Sequence, residues 1–113
     1  MDGQLKAGTF LTSESSNKYK VNTLLGAGGQ GEVYDVECGG KHYALKWYFK
    51  HMATKSQKEI LDNLITRGAP DDSFLWPQDL IFKGYGESFG YIMPLRPKNF
   101  KSMSIFSTFE ILL

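Results

Sequence analysis

The chain has 113 residues, 42% hydrophobic and 14% aromatic, enough for one compact core and one domain. Thirteen Lys and Arg against twelve Asp and Glu leave a formal charge of +1, and the basic residues are scattered, so the electrostatic footprint of a nucleic-acid binder is missing. The single cysteine, Cys38, cannot close an internal disulfide, and His42 and His51 belong to no cluster at metal-ligand spacing, which argues against a disulfide scaffold and a metal site.

Residues 1–18 read as an N-terminal extension. MDGQLKAGTF is not organised as a signal peptide, and no run nears the ~18 apolar residues of a membrane span, so a cytoplasmic protein without a membrane partner is expected. TSESSNK, Thr12 to Lys18, has the composition of a loop, beside Phe10 and Leu11, which can pack locally. From Tyr19 to Gly26, YKVNTLLG alternates Tyr19, Val21 and Thr23 with Lys20, Asn22 and Leu24, the period of a strand. A glycine-rich loop follows. EVYDVEC then sets Val33 on one side and Tyr34 and Val36 on the other, and Gly39-Gly40 suits the positive-φ turn of a hairpin into KHYALKWYF, Lys41 to Phe49.

The period then changes. TKSQKEILDNLITRG offers Thr54 and Ser56 as N-caps, carries Ile60, Leu61, Leu64 and Ile65 at helical spacing, and stops at Gly68, which predicts one amphipathic helix of about three to four turns. GAPDDS makes a turn in which Asp71-Asp72 is a turn pair. FLWPQDLIFKG reads as a strand interrupted near Pro77, YGESFG as a tight turn and YIMPL as the last strand. The predicted order is βββαββ, an α+β fold with a five-stranded antiparallel sheet.

Two features carry chemistry. Gly26, Gly28 and Gly31 form G-x-G-x-x-G, used by dinucleotide-binding folds and by protein kinases. In a dinucleotide fold the third glycine opens a helix, whereas a strand pattern follows Gly31 here. A glycine hairpin lets backbone N–H groups approach phosphate oxygens with no Cβ in the way, and Val33 just beyond it is placed to cover a base. The second feature is Lys46. Alternation puts Ala44, Lys46 and Tyr48 on one strand face and Tyr43, Leu45, Trp47 and Phe49 on the other. An ammonium inside so apolar a strand either snorkels at an edge or is aimed at phosphates, and the nearby glycine loop favours phosphates.

With these residues the chain resembles the N-terminal lobe of a eukaryotic-type protein kinase, the bacterial Ser/Thr kinases included. LLGAGGQGEVY is similar to the family's glycine-rich loop, YALK to its V-A-I-K strand, and the match covers roughly residues 19–97. FLWP with FGYIMPLRP further resembles bacterial kinase-like proteins in which a helix-hairpin-helix region follows the kinase fold. The resemblance implies ATP as the nucleotide. It implies a binding set of Gly26, Ala27, Gly28, Gly29, Gln30, Gly31 and Val33 in and beside the loop, with Ala44 and Lys46 on the strand. Met93 would be the gatekeeper at the back of the pocket, Pro94 would offer a carbonyl to the adenine amine, and Arg96 its backbone N–H.

The resemblance also implies a helix residue that orients Lys46, and this is Gln57 or Glu59. Glu59 is followed at i+3 and i+4 by Asp62 and Asn63, and it completes S-x-x-E with Ser56, a capping box. Gln57 is followed by Ile60, Leu61 and Leu64, so Gln57 is expected to face the interior and to hold Lys46 by hydrogen bond only. Gln30 stands at the loop tip where many kinases carry an aromatic.

Neither H-R-D-x-x-x-x-N nor D-F-G occurs in these 113 residues, so the catalytic base and metal ligands of phosphoryl transfer are missing and no kinase activity is expected of the chain alone. Mg²⁺ would join ATP only with a second lobe. Residues 98–113 carry Ile105, Phe106, Phe109, Leu112 and Leu113 at helical spacing, a C-terminal helix expected to fold back or to pair with another copy or a second-lobe partner. Three readings follow: an ATP-binding N-lobe, a non-catalytic interaction and oligomerisation module, and half of a split Ser/Thr kinase.

Overall fold

Strand-forming residues at period two dominate the first fifty positions, and they build a meander. The computed structural model describes residues 4–70, 76–81 and 88–95. Its elements are β1 (Phe10–Thr12), β2 (Lys18–Ala27), β3 (Gly31–Cys38), β4 (Lys41–Tyr48), a short 3₁₀ turn at Lys50–Met52, α1 (Lys55–Arg67), β5 (Asp79–Ile81) and β6 (Gly90–Pro94). All six strands join one antiparallel sheet in the order β1-β2-β3-β4-β6-β5. The expected five strands and helix are present in the expected order, and β1 is an additional edge strand.

The N-terminal segment is therefore more than an extension. Leu5 and Leu11 are buried with Tyr19, Val21, Tyr34, Val36, Leu45, Trp47, Ile81 and Ile92 on one face of the sheet. The other face buries Val33, Ala44, Tyr48, Leu80, Phe89, Tyr91 and Met93 with Leu61 of the helix. Alternation along β3 and β4 sorts their residues onto these faces as expected. Along β2 it slips. The register jumps between Val21 and Thr23 and again between Leu24 and Gly26, and the bulge at Asn22 turns Thr23 outward and brings Leu24 against the core.

Although β1 and β5 stand at opposite ends of the sheet order, the turn that follows β1 meets β5. Glu14 N–H donates to the Leu80 carbonyl at 2.8 Å. Asp79, 5% exposed, accepts from the Ser15 hydroxyl at 2.9 Å, the Tyr19 hydroxyl at 3.1 Å and the Asn17 amide at 3.4 Å. The turn between β1 and β2 thus ties the two ends of the sheet order together.

Helix α1 is capped by Thr54, whose Oγ1 accepts from Gln57 N–H at 3.1 Å, and it ends at Gly68 with φ 80°. This corrects the expected capping box from Ser56 to Glu59: the helix begins one residue before Ser56, so Ser56 is already helical and Glu59 is exposed. Leu61 is the helix residue that is fully buried, and Ile60, about 100° away around the axis, is exposed. The Trp76 indole N–H donates to the Leu64 carbonyl at 2.8 Å, tying the last turn of α1 to the approach to β5. At Gly39 and Gly40, φ of 59° and 80° makes the two-residue hairpin turn between β3 and β4. The predicted helix at 98–113, Arg96, Asp71-Asp72 and the first half of YGESFG lie outside the described residues.

Candidate functional site

The glycine loop is the turn between β2 and β3. Pairing persists to Ala27 with Glu32 and Gly26 with Val33, so the flap proper is Gly28, Gly29 and Gln30, with Gly28 N–H donating to the Gly31 carbonyl at 2.9 Å. The flap rests on β4: Phe49 N–H donates to the Gln30 carbonyl at 2.9 Å. Gly31 is needed at the contact itself, since a Cβ there would stand 2.2 Å from the Trp47 carbonyl oxygen, whereas one on Gly29 would meet nothing within 4 Å. Strand β3 runs directly on from Gly31, and no helix opens there.

Lys46 lies beneath this flap. It is only 1% exposed, and its Nζ donates to Gln30 Oε1 at 3.0 Å. The same Nζ sits 5.2 Å from the centre of the Tyr48 ring, two residues along the same face of β4, an arrangement that stabilises a desolvated cation. The Tyr48 hydroxyl in turn accepts from Gln57 Nε2 at 3.3 Å, and its ring packs at 5.2 Å from Phe89 and 6.1 Å from Tyr91. A continuous line of contacts therefore runs from flap to helix through Gln30, Lys46, Tyr48 and Gln57.

Of the two helix candidates, Gln57 is half-buried on the inward side and Glu59 is exposed. Gln57 spends its amide on Tyr48, so the aromatic ring stands between helix and ammonium. Tyr48 was absent from the expected site residues, although its place two positions from Lys46 puts it on the lysine's face. Ala44 pairs with Met93 across β4 and β6, and both are fully buried with Val33 on the face that also carries Lys46. Pro94 closes β6 opposite Tyr43. These positions place Val33, Ala44 and Met93 together, with the flap at one end of β4 and Pro94 at the other.

The remaining titratable clusters lie elsewhere. His42 Nδ1 is 2.8 Å from Asp35 Oδ1 at the exposed hairpin end; the hydrogen bond, then the carboxylate charge, raises its pKa above the ordinary histidine value. Burial pushes the Asp79 pKa up, but hydrogen bonds from Ser13, Ser15, Asn17 and Tyr19 outweigh it and hold the carboxyl below its ordinary value. Among the described residues no group of three His, Cys, Asp or Glu side chains is arranged to hold a metal ion, and no helix is long and apolar enough to cross a membrane.

No protein-family model matches the chain, and no curated protein matches it. Solved structures do. The kinase domain of PknI from Mycobacterium tuberculosis superposes with a TM-score of 0.61 at 21% identity, over 80% of this chain and 36% of that one. A double-mutant form of the same domain gives 0.62 at 23% identity with the same coverage. Vaccinia related kinase 3 gives 0.57 at 16% identity, over 80% of this chain and 31% of that one. The chain thus spans about a third of the length of these kinase structures, and over that third it has the fold of a protein-kinase N-terminal lobe.

Proposed function

We propose that the chain binds the phosphates of a nucleotide, ATP foremost, between the flap at Gly26–Gly31 and Lys46. The observation that carries this reading is the convergence of the two: a strand ammonium 3.0 Å from the tip of a glycine hairpin, in a fold shared with kinase N-lobes. Backbone N–H groups of Ala27 and Gly29 would meet phosphate oxygens, that of Gly28 being held by the Gly31 carbonyl, and Lys46 would supply the positive charge. Val33, Ala44 and Met93 form the buried apolar cluster on the Lys46 face against which an adenine ring would pack, with Pro94 at the end of β6. The separated H-R-D and D-F-G groups that phosphoryl transfer requires do not occur in these residues, so the chain alone binds and does not transfer.

The test is thermal unfolding of the 113-residue chain with ATP, with and without Mg²⁺. A site saturated a hundredfold above its Kd stabilises by ~2.7 kcal/mol, a clear rise in midpoint, and Lys46→Ala should abolish most of it. A midpoint that stays put in both proteins removes the nucleotide reading.

A further inference from the structure

Gln30, at the tip of the flap, accepts a hydrogen bond from the Lys46 ammonium at 3.0 Å. We propose that Gln30 is a latch: its side-chain amide holds Lys46 under the flap and releases it to an incoming phosphate, so that this one residue sets how readily the site takes up a nucleotide. The proposal rests on the nucleotide reading above and adds a control to the same site.

Three observations bear on it. An ammonium has three N–H donors, and one of them is directed to Gln30 Oε1 at 3.0 Å, a direction then closed to phosphate. The residue making this contact is itself fastened at its carbonyl by Phe49 N–H at 2.9 Å, so the side chain is presented to Lys46 by an anchored backbone while Gly29 next to it has open space around it. Finally, Lys46 is 1% exposed, and a charge so far from water needs acceptors close by. A glutamine oxygen satisfies a donor without cancelling the charge. The bond to Gln30 is charge-assisted on the donor side only; a phosphate oxygen brings an opposite charge as well, and its Coulomb attraction favours exchange of Gln30 for phosphate. A carboxylate at the same place would neutralise the ammonium and resist the exchange.

The experiment compares the wild-type chain with Gln30→Ala and Gln30→Glu in two assays. The first, without nucleotide, follows acetylation of Lys46 by acetic anhydride, read by peptide mass spectrometry against exposed Lys20 as internal reference. The second measures ATP affinity by calorimetry. The latch predicts that Gln30→Ala is acetylated at Lys46 about tenfold faster and binds ATP about tenfold tighter, in line with loss of one hydrogen bond to a charged group, and that Gln30→Glu moves both quantities the other way. Equal acetylation in wild type and Gln30→Ala overturns the latch, and faster acetylation with unchanged or weaker ATP binding overturns its control of the site. Faster acetylation with no ATP binding by any of the three proteins leaves the hold on Lys46 standing and removes the nucleotide reading instead.

Discussion

Gly31 and Gly29 differ by two positions in the same motif and answer to different physics. Gly31 faces backbone: the Cβ of an alanine would press on the Trp47 carbonyl at 2.2 Å and on Tyr48 Cα at 2.9 Å, and neither is the free end of a side chain that can swing aside. Gly31→Ala should therefore force β3 away from β4 and cost about 1–3 kcal/mol, the range of overpacking in a filled core, seen as a drop of several degrees in the thermal midpoint. Gly29→Ala meets open space and should stay within ~0.5 kcal/mol of wild type. A sequence motif cannot separate these two glycines, because the spacing G-x-G-x-x-G records which backbone is bare and not what lies across from it. The same holds for Lys46. Its face followed from alternation, but the identity of its partner depended on how far the flap folds over β4, a tertiary distance with no signature in local spacing.

At the level of the element, α1 tests how well end signals can be read. Thr54 and Ser56 were equivalent by residue type, and only the dihedrals decide between them: Thr54 is extended, with φ −93° and ψ 160°, and Ser56 lies inside the helix. Thr54→Ala should cost ~1 kcal/mol of stability in urea unfolding followed by circular dichroism, and Ser56→Ala should cost much less; the reverse order would move the helix start. The C-terminal signal at Gly68 was unambiguous because only glycine occupies φ 80° without strain. The strands were legible wherever alternation ran unbroken, through β3 and β4. In β2 two bulges displaced the pattern, and a slip of one residue exchanges the faces of everything beyond it. In β1, three residues are too few for a period to show.

Over the whole molecule, the consequence of β1 is closure, and a single carboxylate does much of it. Asp79 on β5 gathers the Ser15 and Asn17 side chains from the turn after β1 and that of Tyr19 from the start of β2; burial, then the adjoining carboxylate, raises the pKa of the Tyr19 hydroxyl, which keeps it a donor. Those contacts join residues sixty or more positions apart, so no local window of sequence could reveal them, and a segment of polar composition reads as loop until its partner is known. The carboxyl pKa is held below its ordinary value despite burial, because its hydrogen bonds favour the ionised form. A depressed folded-state pKa means that the stabilisation is present above the unfolded value of about 3.9 and is lost as pH falls through the folded pKa. Asp79→Asn turns two of the acceptor sites into donors facing donors, so at pH 7 it should lower stability by about 1–3 kcal/mol, or several degrees to over ten in the midpoint for a domain of this size. As pH falls through the folded-state pKa the wild-type carboxyl takes up its proton as well, and the gap between the two proteins should narrow. Urea midpoints read from tryptophan fluorescence at pH 7 and pH 2.5 measure it. A gap that does not change between those pH values would mean that the Asp79 charge contributes nothing to closing the sheet, and that the backbone bond from Glu14 to Leu80 holds the two edges together without it.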